Sequence, residues 1–266
     1  MTKYSILHPL LLSFYSKDLY QDVGRNWRGT GFLYLLLLLA LAWIPTMVQF
    51  HHGLGEWADT TGRALAAQVP AITITNGRVS TEVETPYFIT DPETGKLLAI
   101  VDLTGEHTSL EDSDAQALLT ETTLILRENK RGPQVHDLSG IQEFELDAGT
   151  VEGLLDFAKG WLAVLFYPFA VLVSFVYRAV QLLLYAAVGV LLCGMLNTRL
   201  DYQVLLRLAA MAVTPVIVLD TLIGVAEVQV PFWWPISFGI AMVYLFYAVK
   251  ANSEPSQPLA PAQPTP

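Results

Sequence analysis

The chain has 266 residues, 53% hydrophobic and 15% charged, with a formal net charge of −10 and a single cysteine, Cys193. A soluble domain carries about 25% charged residues, so this composition excludes a disordered chain, a collagen-like fibre and most free-standing soluble enzymes. One cysteine excludes a disulfide framework, a zinc ribbon and a redox thiol pair, and the acidic balance excludes a nucleic-acid footprint. A membrane protein remains.

Residues 1–30 are expected to form a cytoplasmic amphipathic N-terminal helix. Leu11, Phe14, Tyr15, Leu19 and Val23 recur at helical spacing against Lys17, Asp18, Gln21 and Asp22. Pro9 suits a first helical turn. The plain reading is an interfacial helix leading into the first span, and the alternative is a docking site for a cytoplasmic partner. No Asp, Glu, Lys or Arg lies between Arg28 and Glu56, and Phe32 to Phe50 is almost wholly apolar. A bilayer core of about 30 Å needs about 20 apolar helical residues, so a first transmembrane helix is expected over 31–50. Its length and distance from the start of the chain make it an uncleaved signal anchor, because a signal-peptide core is shorter and closer to the terminus.

Residues 51–157 hold 19 of the 25 acidic residues and 6 of the 15 basic ones, a balance of −13. Alternating apolar runs between turn signals predict a small β-rich domain. Ala71–Thr75 and Arg78–Val83 flank Asn76-Gly77, a two-residue hairpin signal. Further strands are expected at Tyr87–Thr90, Lys96–Asp102, Thr122–Arg127 and Gln142–Leu146, and a short acidic helix at Leu110–Leu119.

Residues 158–250 form a membrane domain. Gly160 to Thr198 is broken only by Arg178, and as one helix its 39 residues extend about 58 Å. Nothing breaks a helix at Tyr177-Arg178-Ala179, so a single long helix over 158–197, kinked at Pro168, is predicted rather than two spans. Its first half would lie along the outer interface or under the soluble domain. Helices at 203–224, kinked at Pro215, and 231–250 follow, and Trp233 and Trp234 read as interfacial anchors. Residues 251–266, rich in proline, read as a disordered cytoplasmic tail. With four spans Lys3, Lys17, Arg25, Arg28, Arg199, Arg207 and Lys250 all fall on one side, the cytoplasm, which also receives both termini.

Two charges enter the apolar spans. Across the turn at Asn197–Asp201, positions whose numbers add to about 398 sit at equal depth, and Arg178 and Asp220 do so. They are predicted to form an intramembrane ion pair near the outer edge of the hydrocarbon. It would fix helix register; the alternatives are movement of a proton or ion, or snorkelling of both groups to the headgroups. His51-His52 has only His107 and His136 as further candidate ligands, with no zinc-like spacing. Glu111-Asp112-Ser113-Asp114 lacks the glycine and distal glutamate of a calcium loop, and Cys193 reads as packing. No catalytic, cofactor or metal site is expected.

Phe14-Tyr15-Ser16 with Tyr20, Gly31–Leu35, Ile72–Gly77, Asp102-Leu103-Thr104-Gly105 and the Thr214-Pro215 span together resemble a bacterial family of four-pass membrane proteins. That family carries a domain-of-unknown-function label, and some members are described as maltodextrin-utilisation membrane proteins. The last two spans also resemble the Yip-type membrane-trafficking family. The resemblance implies an architecture and no catalytic residues. The chain is therefore expected to be an α-helical integral membrane protein of the bacterial inner membrane. It would have about four transmembrane helices and a small α+β, β-rich extracytoplasmic domain between helices 1 and 2. The expected function is a non-enzymatic accessory protein whose outer domain binds a partner or envelope ligand. The alternative is a small transporter or channel component. Expected partners are the lipid bilayer, a membrane or envelope protein and, for the alternative above all, further copies of the chain as a homo-oligomer.

Overall fold

The computed structural model describes residues 4, 5, 7–29, 31–128 and 132–253. In chain order these form α1 (Pro9–Leu12), α2 (Lys17–Arg25), α3 (Phe32–Trp57), a π-type turn (Ala58–Gly62) and α4 (Arg63–Ala66). Eight strands follow: β1 (Ile72–Thr75), β2 (Arg78–Thr81), β3 (Tyr87–Thr90), β4 (Leu97–Val101), β5 (Ala117–Leu119), β6 (Thr123–Glu128), β7 (Gly132–Asp137) and β8 (Glu143–Leu146). The chain continues with α5 (Ala148–Met195), α6 (Tyr202–Val225) and α7 (Trp233–Ser253). Four helical runs, Phe32–Ala66, Ala148–Met195, Tyr202–Val225 and Trp233–Ser253, are long and apolar enough to cross a membrane. The molecule divides into two compact units, Met1–Gln49 with Val164–Pro266, and Phe50–Ala163.

In the helical unit α6 is the centre. Every residue from Leu205 to Ile217 is buried, and Ala209, Ala210 and Ala212 keep its surface thin enough for neighbours to approach closely. Gly189 of α5 faces Leu205, where an added Cβ would lie 3.1 Å from the leucine side chain. The Tyr34 hydroxyl of α3 lies 2.9 Å from the Thr214 hydroxyl, which donates to the Ala210 carbonyl. α5 ends at Met195; Asn197 just beyond it has a left-handed φ of 50°, and the Thr198 N–H returns to the Cys193 carbonyl, a helix stop of the reversed type.

The amino-terminal segment differs from the single helix expected. It is two helices, because Ser16 leaves the helical conformation and its hydroxyl accepts the Leu19 N–H, capping α2. The apolar face of α2 packs against α6 and α7, with Leu19, Tyr20 and Val23 fully buried. α7 locks it in place: Asn252 donates to the Tyr20 carbonyl, and Gln21 donates to the Ala251 carbonyl. Gly24 leaves room for the Asn252 side chain, which a Cβ there would meet at 2.2 Å. α7 thus runs through Ser253, so the tail expected over 251–266 begins as helix, and its residues 254–266 lie outside the described residues.

α5 starts at Ala148, ten residues before the position expected, because the Asp147 carboxylate accepts the Thr150 N–H at 2.7 Å as an N-cap. The charges of Glu152, Asp156 and Lys159 conceal this start from a search for charge-free runs. α5 is one helix of 48 residues, about 72 Å long at 1.5 Å per residue. Pro168 lies inside it, as Pro215 lies inside α6 and Pro45 inside α3.

In the second unit β2-β1-β8 form an antiparallel three-stranded sheet, and β3-β4-β5-β6-β7 a five-stranded one in which β4·β5 pair parallel and the other described pairs antiparallel. Asn76 and Gly77 turn the β1–β2 hairpin with φ of 51° and 79°, as the Asn-Gly signal requires. A Cβ on Gly77 would stand 2.5 Å from the Ser139 backbone. Two small apolar clusters fill the unit, one around Ile72, Ile74, Val79, Val101 and Leu138, the other around Ile100, Leu110, Ala115, Leu118 and Ile125.

The acidic helix expected at Leu110–Leu119 is absent; the segment is a turn-rich loop leading into β5. Arg127 of β6 explains it. Its guanidinium donates to the Leu110, Ser113 and Ala115 carbonyls, which are therefore spent on a side chain rather than on helical N–H groups. β5 and β7 were not foreseen. β7 carries Pro133 and is exposed throughout, which an edge strand tolerates.

Candidate functional site

Arg178 on α5 and Asp220 on α6 approach each other, with Nη2 3.7 Å from Oδ2. That is an ion pair, and it is longer than a hydrogen bond. Their side chains are 16% and 50% exposed. Arg178 Nη1 donates to Gln181 at 2.7 Å, and Gln181 in turn donates to the Tyr185 hydroxyl at 2.7 Å. The Trp233 indole N–H, at the first residue of α7, donates to Asp220 Oδ1 at 2.9 Å. The guanidinium lies 5.7 Å from the Tyr177 ring centre. Each charge is thus held by a neighbour on one side, while most of the arginine donors and Asp220 Oδ2 have no hydrogen-bond partner among the described residues.

A cleft of about 370 Å³ opens beside the pair, lined by five aromatic rings: Tyr177, Tyr185, Trp233, Trp234 and Phe238. Trp234 is 75% exposed at its mouth. On the other side of the pair a second cleft, about 260 Å³, is lined by Trp43, Thr46 and Ser174 together with Tyr177, Arg178 and Asp220. The Trp43 indole donates to the Ser174 hydroxyl there. The ion pair stands between the two.

The remaining sequence candidates stay apart from this cluster. His51 and His52 face each other edge to face, 6.0 Å between ring centres. Among the described residues no three His, Cys, Asp or Glu side chains come together as a metal site. Glu111–Asp114 lies in the loop pinned by Arg127, and Cys193 is buried between helices.

Sequence reasoning missed three polar centres. Arg207, taken as a flanking charge, is 8% exposed and donates to the Gly29 and Gly24 carbonyls, tying α6 to the end of α2. Arg127 organises the loop after β4. Asp102 is fully buried and closes that loop: it accepts from the Thr104 N–H and hydroxyl at 2.8 and 2.7 Å, the Gly105 N–H at 3.1 Å, the His107 N–H and His107 Nδ1. Burial pushes its carboxyl up, but the Thr104 and His107 hydrogen bonds outweigh it and hold the group well below the usual carboxylate range. An ionised carboxylate only accepts, so Nδ1 of His107 carries the proton. Phe88 packs edge to face on the ring. The Asp-x-Thr-Gly spacing was the available signal, since an aspartate followed by Thr-Gly closes an Asx turn.

Four membrane-length helices with a small β-sheet region define a multi-pass membrane protein. The chain belongs to the family described as Protein of unknown function (DUF1189), which matches residues 7–249. No curated protein and no solved structure matches it.

Proposed function

We propose that this protein is a non-enzymatic accessory component of the bacterial inner membrane, anchored by an uncleaved first span, with both termini in the cytoplasm. The β-rich unit then lies outside the membrane and binds a protein partner or envelope ligand. The seven basic flanking residues support the orientation. The resemblance to members described as maltodextrin-utilisation membrane proteins points to an envelope or uptake context, and the Yip-type resemblance of the last two spans to membrane trafficking.

One observation carries the partner. Large apolar side chains are exposed along α5 from Leu154 to Met195, about 62 Å of helix against about 30 Å of hydrocarbon. About half of that stripe has no lipid to cover it in an upright helix, and an apolar face of this size marks a contact surface. Photo-crosslinking residues placed at Trp161 and Phe166, with Leu184 and Leu191 as the lipid-facing comparison, test this in cells. Discrete protein adducts are expected from the first pair alone. Adducts from neither position of that pair would overturn the reading.

The paired clefts at Arg178 and Asp220 favour a second reading, an oligomeric transporter or channel component. Flux through vesicles that falls on Asp220→Asn and Arg178→Gln would support it over the first.

A further inference from the structure

We propose that the cleft between α5, α6 and α7 binds a zwitterionic group carrying a phosphate and an ammonium, in the manner of an aminophospholipid headgroup. Depth supports this first. Asp220 lies five residues, about 7.5 Å, from the end of α6, and Trp233 opens α7. From Trp233 to Lys250 α7 rises about 26 Å, close to the hydrocarbon thickness. If Lys250 marks one interface, the cleft opens at the other, where headgroups lie and tryptophan gathers.

The chemistry is two-sided. Arg178 has given one of its five N–H donors to Gln181 and holds Asp220 only at 3.7 Å, beyond hydrogen-bond distance, so donors remain that can turn to phosphate oxygens. The α7 N-terminus, whose Trp233 and Trp234 line the same cleft, adds positive potential to that side. Asp220 Oδ1 is taken by Trp233, and Oδ2 faces Arg178 at a distance too long for a hydrogen bond. An ammonium can therefore take Oδ2 in a cleft that Trp233 and Trp234 also line, a setting in which aromatic rings attract cations. A lone anion would meet Asp220 and a lone cation would meet Arg178. A zwitterion satisfies both, and a volume of about 370 Å³ suits a small polar group.

The test uses the purified full-length protein, delipidated in mild detergent and analysed by native mass spectrometry. Phosphatidylethanolamine, phosphatidylglycerol and soluble glycerophosphoethanolamine are added at equal concentration. Phosphatidylethanolamine is expected to be retained about tenfold over phosphatidylglycerol, as one charge-assisted contact implies. Asp220→Asn should erase that preference, and Arg178→Gln should lower binding of both lipids. Trp234→Ala leaves the ion pair untouched and should weaken the ethanolamine lipid alone, with an unchanged melting temperature showing intact folding. Binding of glycerophosphoethanolamine without the lipid would assign a soluble ligand; retention of the lipid alone would assign the bilayer. Equal retention of both lipids with no binding of the soluble compound, or ethanolamine binding untouched by Asp220→Asn and Trp234→Ala, overturns the proposal.

Discussion

Asp102 shows how one side chain does structural work that its neighbours in sequence only hint at. Its folded carboxyl titrates below its value in the unfolded chain, 3.8, so it favours folding fully above that value and loses its contribution as pH falls further. Acidification from about pH 5 to pH 3 is therefore expected to destabilise the β-rich unit. Asp102→Asn should lower stability at neutral pH by about 2–3 kcal/mol, because an amide nitrogen replaces one of the oxygens that accept N–H groups. It should also flatten the acid dependence. Denaturant melts at pH 7 and pH 3.5 check both, and an unchanged acid slope would remove Asp102 as its source. Arg207 makes the same point within the helical unit. Its charge is visible in sequence, but only folding brings it to the Gly24 carbonyl in the last turn of α2 and the Gly29 carbonyl of the segment that follows.

At the scale of elements, periodicity identified the strands and helices whose apolar pattern is local. The β1–β2 hairpin, β3 and α6 follow from turn residues and hydrophobic spacing in their own segments. The Leu110–Leu119 segment had acidic, helix-compatible residues and still folds as a loop, because Arg127, contributed by another strand, captures its carbonyls. Arg127→Leu is expected to release that loop at a cost of about 3 kcal/mol and to create a protease site between Leu110 and Gln116. Limited proteolysis of the variant, with cleavage mapped by mass, reads the outcome; resistance equal to the native protein would refute it. β7 escaped notice for a related reason. An exposed edge strand needs no apolar alternation, so its six residues carry no periodic signal.

For the whole molecule, charge and hydropathy give the expected layout, four spans with the acidic block on the outer side. Protease added to spheroplasts should cut within residues 68–147, whereas inverted vesicles should protect them; the reverse pattern would invert the topology. The candidate cleft was half legible. Arg178 and Asp220 stood out because charge is rare in apolar spans, and the short turn between α5 and α6 set them at one depth. The indole bond from Trp233 and the aromatic walls were not legible, because α7 reaches Asp220 only through the packing of three helices.

The amino-acid sequence by itself determined where apolar segments end, which segments alternate and which charges are out of place. These properties depend on spacing along one stretch of chain. Only the tertiary structure decided that the amphipathic N-terminal segment turns its apolar face to α6 and α7. It also decided which carbonyls Arg127 and Arg207 satisfy. Those outcomes depend on partners far away in sequence, where burial must be matched by a hydrogen bond that no local pattern encodes.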